Sequence, residues 1–483
     1  MTTTYSNYID GTWISSVTGE LFSSINPAQT EDILGYFQAS NEADVEKAIA
    51  AGERSFPEWS GIAAPKRGEV IFRLIQLLEE QQDELATLIT KEVGKTYHDA
   101  QGEVKKTIEA MKQFSGEATR LDGETVPSQD SDIFAYTVRE PLGVVGVVAP
   151  YNFPLGIGIW KIAPSIIAGN TVVFKPASNT SLISVKMIEL LEKAGVPAGV
   201  VNMVTGSGSV IGKVLGNHPK IKGVSFTGST EVGLSLGKSV TNRGARMQAE
   251  MGGKNPSIIL EDTDINETIE NIVISGFLDN GQRCTGTSRL IVPKSIAKEV
   301  TEKLVAKANS LNIGNGFGQN VDNGPVIDEN QLNTYLHYVD VSINEGAVLE
   351  CGGKRLTDHG RDKGYFVAPT VFSNVTSEHT IFHEEIFAPV IAIIEADSYE
   401  DALTIANDSD FGLSSTIYTN DLKKAMHFVR NIESGVTHVN IPSNYFENQY
   451  PFGGKKSSSI GPREQGSTAL DFWTDYKTVY IKA

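Results

Sequence analysis

Apolar positions recur along this chain with two distinct periods, and the switch between them divides it. Ser40-Asn41 is a capping pair, and behind it Val45, Ala48, Ile49 and Phe56 keep a helical spacing. Pro65 opens a stronger helix: Val70, Ile71, Leu74, Leu77 and Leu78 share one face, which continues through Leu85 and Leu88 to Gly94. A third helix is predicted from Tyr97 to Ala118. These helices read as scaffold. Ahead of them, Tyr8 to Asn26 mixes short apolar pieces with Gly11, Gly19 and serines, and reads as a small strand pair.

Beyond residue 140 the pattern alternates strictly. Val144–Val148, Thr171–Phe174, Val200–Val204 and Gly223–Phe226 are short apolar runs of strand type. Between and after them, Leu155–Ala168, Leu182–Lys193, Ser209–Leu215 and Glu231–Thr241 have helical spacing. Strand–helix repeats with uninterrupted apolar strands predict a parallel sheet covered on both faces, with ligands at the carboxyl ends of its strands. A second run of the same kind starts near Ile258, after Gly252-Gly253. It takes in Ser288–Val292, Ser295–Ala308, Val390–Ile394, Asp401–Ala406 and Thr437–Ile441, around a looser, glycine-rich stretch from Gly314 to Gly364. Phe134–Val138 and the tail Thr474–Ile481 read as further strands. The chain therefore predicts two α/β domains with a strand-forming excursion and tail, both candidates for pairing with another subunit.

Composition narrows the function. At 483 residues the chain is too long for one core. Its 41 basic against 59 acidic residues give a net charge of −18, a field that repels nucleic acid and anionic membranes; neither is expected as a main partner. An anionic substrate would need a local cation. Two cysteines offer no disulfide framework, which fits a reducing compartment. Residues 1–30 lack the basic start and apolar core of a secretory signal, and no apolar run approaches the roughly 18 residues of a membrane span. A cytoplasmic protein is expected.

The candidate chemistry centres on Gly281-Gln282-Arg283-Cys284-Thr285-Gly286. This glycine-flanked turn between an apolar segment and a strand allows close approach of a substrate. A free cysteine is more often a buried small hydrophobe, but Gln282, Arg283 and Thr285 are polar, and a neighbouring guanidinium favours the reactive thiolate. Phe226-Thr227-Gly228-Ser229-Thr230, with Gly233, is a strand–turn–helix whose amides suit a pyrophosphate, although a plain tight turn looks alike. Asn152 sits between Pro150 and Pro154, either as a rigid loop residue or as a fixed amide. Lys175 ends a strand, where a solvated lysine is the ordinary reading.

Seven strings now fall in order: APYNFP, FKPAS, FTGST, EMGGKNP, GQRCTG, EEIFAPV and PFGG. In sequence and spacing they resemble the aldehyde dehydrogenase superfamily over essentially the whole chain. The resemblance implies an α/β aldehyde-dehydrogenase fold. Residues 1–121 and 142–249 would form a Rossmann-like cofactor domain and 250–455 an α/β catalytic domain. Residues 122–141 and 468–483 would form a small three-stranded β element for assembly as a homodimer or homotetramer. Cys284 would attack the aldehyde, Asn152 and the Cys284 N–H would hold the oxyanion, and Glu250 would activate water against the thioester. The nicotinamide cofactor would lie against Pro150, Tyr151, Asn152, Lys175, Ser178, Gly228, Ser229, Met251, Glu385 and Phe387. No metal is implied, and Cys351 matches no role.

The expected activity is NAD(P)-dependent oxidation of a small aldehyde to an acid. Glu250 favours hydrolysis of the thioester over transfer to coenzyme A, and the cofactor positions argue against a cofactor-free thiol esterase. Many NAD-preferring relatives carry a glutamate where this chain has Ser178, so NADP is expected to serve at least as well as NAD. Arg283, with Trp160-Lys161, looks most like dehydrogenases of short semialdehyde acids such as 2-oxoglutarate or succinic semialdehyde. There the guanidinium would fork onto the distal carboxylate. Equally, Arg283 could form only a structural ion pair, and Tyr151, Tyr445, Phe446 and Phe452 could build a pocket for a benzaldehyde- or vanillin-like substrate. Arg283, Tyr151 and Phe452 are the candidate substrate contacts.

Overall fold

The computed structural model describes residues 2–482, so Met1 and Ala483, the outermost residues of the two expected end segments, lie outside it. The first strand–helix run builds an eight-stranded sheet with five parallel strands at its centre. These stand in the order Val201–Met203, Thr171–Lys175, Val144–Val148, Ile221–Thr227 and Arg246–Glu250. The strand order reverses between Val144–Val148 and Ile221–Thr227. Connections leave that point in opposite directions and open a crevice beyond the carboxyl ends. Short antiparallel strands close both edges. The central strands read as apolar runs because both faces are covered. Val145, Val147 and Phe174 pack under the helix Pro154–Ala168, and Val144 and Val173 under the helix Glu42–Gly61.

The second run builds a seven-stranded sheet in the order Val348–Cys351, Thr370–Ser373, Val390–Ala396, Thr287–Pro293, Asn255–Ile259, Ser414–Tyr418 and Val436–Val439. All but the first are parallel. Four residues, Met251 to Lys254, carry the chain from the last parallel strand of one sheet into a central strand of the other. The carboxyl edge of the first sheet thus meets the amino edge of the second. Among the described residues, no helix is long and apolar enough to cross a membrane.

Four expectations need correction. The helix expected from Pro65 to Gly94 is two helices, Ala64–Glu80 and Gln82–Val93, broken at Gln81 (φ −112°, ψ 19°). The buried stripe resumes in phase at Leu85 and Ile89, so periodicity carries no mark of the kink. The single strand pair near the N-terminus is two hairpins, Asn7–Ile9 with Thr12–Ile14 and Leu21–Asn26 with Gln29–Gln38. The loose stretch holds a helix, Glu329–Asn344. Asp328 caps it and Leu332, Tyr335 and Val339 bury one face, while glycines on both sides disguise it. The expected three-stranded element has two paired strands, Ile133–Pro141 and Thr474–Lys482, antiparallel along their full length. The segment before them adds no third ladder strand: Glu124 exchanges hydrogen bonds with Thr137, and Asp122 pairs with Arg139 at 3.5 Å.

Candidate active site

Cys284 lies at the amino edge of the second sheet, just before Thr287–Pro293. Asp279 and Asn280 precede it in left-handed conformation (φ 53° and 55°), which non-glycine residues adopt only when their surroundings hold them there. Asn280 Nδ2 donates to the carbonyls of Gly324 (2.7 Å) and Pro325 (2.6 Å), and Asp279 accepts from Arg283. Gly281 has φ 61°, and a Cβ there would meet the Ala388 oxygen at 2.3 Å, so only glycine fits. From the far side, Asn255 Nδ2 donates to the carbonyls of Cys284 (2.8 Å) and Gly286 (2.9 Å). The thiol carrier is thus anchored on both flanks.

Its thiol borders a cleft of about 820 Å³ that extends over the crevice at the strand-order reversal. Contrary to the sequence expectation, the surroundings do not favour the thiolate. Burial pushes the thiol up to about 12, and the carboxylates Glu385 and Glu250 add to the rise. Arg283 fails to offset this because its Nε and Nη2 are directed at Asp279.

Asn152 reaches the same turn from the first sheet. It follows Val144–Val148, is buried, and donates one Nδ2 proton to the Gln282 carbonyl at 2.9 Å. Only one of its two amide protons is thereby used, and Asn152 and Cys284 border the same cleft. An amide donor fixed in a desolvated turn can stabilise an oxyanion.

Glu250 ends the last parallel strand of the first sheet. Its Oε2 accepts from Ser459 Oγ at 2.7 Å, and its Oε1 is buried without a partner. Burial first, and then the charge of Glu464, raise it well above the usual carboxylate range; Ser459, Lys161 and Arg463 partly oppose them. Lys161 Nζ pairs with Glu464 and lies 2.9 Å from Ser225 Oγ. In the sequence Lys161 enters only with Trp160, as part of the resemblance to semialdehyde dehydrogenases, and not as a neighbour of Glu250. Ser459 and Glu464 are not singled out, since they sit in a polar loop with no pattern.

The residues expected to hold the cofactor border the same cleft as Cys284: Pro150, Tyr151, Asn152, Lys175, Ser178, Gly228, Ser229, Met251, Glu385 and Phe387. Ser229 begins the helix Thr230–Asn242 without a side-chain cap, leaving the first-turn amides to a ligand at the strand-order reversal. Lys175 is buried, and burial lowers its ammonium to about 8. Ser178 Oγ donates to the Gly206 carbonyl at 3.2 Å. Glu385 Oε1 accepts the Gly253 N–H at 2.9 Å, and burial raises its carboxyl to about 7. A Cβ at Gly252 would stand 2.2 Å from Glu385 Oε2, so any larger residue there would displace that carboxylate. Uncapped amides, a buried cation and a fixed carboxylate along one cleft suit a dinucleotide's pyrophosphate and riboses.

The three candidate substrate contacts separate. Tyr151 lies on the cofactor side, edge-on to Phe387 at 5.9 Å. Phe452 packs against Trp160 (6.5 Å) and Phe446 (5.8 Å), whereas Tyr445 is exposed and bonds Glu447. Arg283 makes the ion pair with Asp279 and borders a small hollow, not the large cleft. Trp160 is the one residue of Pro154–Ala168 that is not buried, yet its Nε1 is enclosed and has no partner.

The aldehyde dehydrogenase family profile matches residues 13–479. An α-ketoglutaric semialdehyde dehydrogenase of Bacillus subtilis is 43% identical over 99% of this chain and 98% of its own. A 2,5-dioxopentanoate dehydrogenase of Saccharolobus solfataricus is 41% identical over 97% of both chains, and an α-ketoglutarate semialdehyde dehydrogenase of Haloferax volcanii is 39% identical over 99% of both. A betaine aldehyde dehydrogenase of Staphylococcus aureus, in a crystal structure with NAD+, superposes with a TM-score of 0.96 at 32% identity, covering 99% of this chain and 95% of the other.

Proposed function

We propose that this chain, which belongs to the aldehyde dehydrogenase family, oxidises a short semialdehyde acid, 2-oxoglutarate semialdehyde, to the corresponding diacid. The observation that carries the substrate is that three relatives, from a bacterium and two archaea, each similar over nearly its whole length, bear names for this one reaction. Aromatic aldehydes fit less well, since the aromatic cluster encloses an unpartnered indole N–H that a hydrocarbon ring would leave unsatisfied.

In the proposed mechanism Cys284 Sγ adds to the aldehyde carbon as its S–H bond breaks, and the proton is lost to solvent through the open cleft. Asn152 Nδ2 and the Cys284 N–H hold the developing oxyanion. A nicotinamide cofactor, when bound, supplies the hydride acceptor. Oxidation leaves a thioester on Sγ. Glu250 then takes a proton from water, which attacks the thioester and releases the acid and the thiol. At the far end of the cleft, Lys175 and Ser178 are proposed to favour NADP at least as much as NAD, since no carboxylate stands at position 178. The distal carboxylate is proposed to receive Trp160 Nε1–H and Arg283, whose Nη1 is not directed at Asp279. The paired strands Ile133–Pro141 and Thr474–Lys482, with Phe134, Tyr476 and Tyr480 exposed, are proposed to join a second copy of the chain. Growth of absorbance at 340 nm with 2-oxoglutarate semialdehyde and either cofactor tests the reading; no growth with this substrate would remove it.

A further inference from the structure

We propose that Lys95 is a positioning residue for this reaction, setting the loop that carries Asn152 against the loop that carries Cys284. The proposal rests on the reading of Asn152 as an oxyanion donor. Lys95 belongs to neither loop. It stands just before the helix Tyr97–Glu117 and is 3% exposed. Its Nζ meets three groups: Glu103 Oε2 at 3.1 Å, Asp279 Oδ1 at 3.9 Å, and the Phe153 ring at 3.8 Å from the centroid.

Each contact fixes a different part of the site. Glu103 Oε1 accepts the N–H groups of Leu155 (3.1 Å) and Gly156 (3.2 Å), and so caps the helix Pro154–Ala168 from outside. That helix begins two residues after Asn152, and Phe153, at its cap position, has no side-chain acceptor of its own. The Phe153 ring also has the Arg283 guanidinium at 5.6 Å, within range of cation–π attraction. Asp279 holds Arg283, the residue before Cys284, and its own left-handed backbone starts the catalytic turn. Two loops from different sheets therefore converge on one ring and one buried ammonium. The direct bond between them, Asn152 Nδ2 to the Gln282 carbonyl, lies beside that junction.

A merely structural ion pair would affect folding, whereas a positioning residue acts through Asn152, and a double-mutant cycle separates the two. Lys95→Met, Lys95→Arg and Asn152→Ala are made singly, and each Lys95 variant is combined with Asn152→Ala. The single-turnover rate of reduced-cofactor formation is read, alongside cofactor binding. Lys95→Met is expected to slow the turnover about 10- to 100-fold in the native background, but less than about twofold in the Asn152→Ala background, with cofactor binding kept. Lys95→Arg, which keeps the cation, should recover part of the rate. Equal fold-losses in both backgrounds, or no slowing at all, would overturn the proposal. A normal rate for Asn152→Ala alone would overturn the oxyanion reading instead. Should Lys95→Met fail to fold because the buried Glu103 loses its cation, Lys95→Met/Glu103→Gln passes through the same cycle. It removes one charge of each sign, keeps an acceptor for Leu155 and Gly156, and is judged by the same two outcomes.

Discussion

The side-chain amide of Asn152 lies 2.9 Å from the main-chain oxygen of Gln282, two residues before Cys284. The bond ties the carboxyl edge of one sheet to the amino edge of the other and, on the proposed mechanism, leaves one amide proton for the oxyanion. Replacing Asn152 by alanine is expected to slow the pre-steady-state burst about 100- to 1,000-fold. Cofactor affinity, measured by quenching of tryptophan fluorescence, should stay within about twofold of native, because the pyrophosphate and ribose positions are untouched.

The thiol of Cys284, pushed up to about 12 by burial and then by Glu385 and Glu250, sets a pH dependence. A raised thiol is protonated in the resting enzyme, so its thiolate fraction grows tenfold with each pH step across the neutral range. In the cofactor-free enzyme, the alkylation rate of Cys284 by iodoacetamide should keep rising to at least about pH 9 with no plateau. A plateau near pH 7 would mean that Arg283 reaches the sulfur after all.

Glu250→Gln should preserve the burst and slow the steady state, because the first chemical step needs the thiol and the last needs a base for water. Burial and then the charge of Glu464 raise the Glu250 carboxyl well above the usual carboxylate range, so its base form, and kcat with it, increases as pH rises. In Glu250→Gln that rise should disappear. If the burst disappears as well, Glu250 also takes the thiol proton.

Most of what positions the chemistry is legible in the chain, and the reasons for the exceptions differ. Four of the five parallel strands read clearly because burial on both faces makes them largely apolar, and the motif strings mark Cys284, Asn152, Glu250 and Glu385. The fifth strand, Arg246–Glu250, goes unread because it carries Arg246, Gln248 and Glu250. The cleft meets carboxyl strand ends only in the first sheet; Cys284, Gly253 and Glu385 lie at the amino edge of the second, which no local pattern encodes. The break at Gln81 is silent because the stripe stays in phase across it. Arg283 reads as a neighbour of the thiol, but adjacent side chains diverge, and the partner that claims it, Asp279, depends on a left-handed turn. Glu464 and Ser459 reach Glu250 from more than 200 residues away in sequence, beyond any local signal.

At the proposed adenosine end of the cleft, a serine at position 178 stands with the buried Lys175, and no carboxylate is present at that position. Ser178→Glu should weaken NADP selectively, by about tenfold or more in kcat/KM, through repulsion of the 2′-phosphate. Equal losses for NAD and NADP would place Ser178 away from the 2′ position.

Substrate preference is the most direct test. In the native enzyme at saturating cofactor, 2-oxoglutarate semialdehyde is compared by kcat/KM with pentanal, a neutral aldehyde of the same length. Hydrogen bonds to the distal carboxylate are expected to favour the acid by about 10- to 150-fold, against the repulsion of the protein's net charge of −18. Trp160→Phe, which keeps an aromatic ring and removes the N–H, and Arg283→Met should each reduce that ratio through the acid alone. A native enzyme that prefers pentanal, or treats the two alike, would contradict the proposed function.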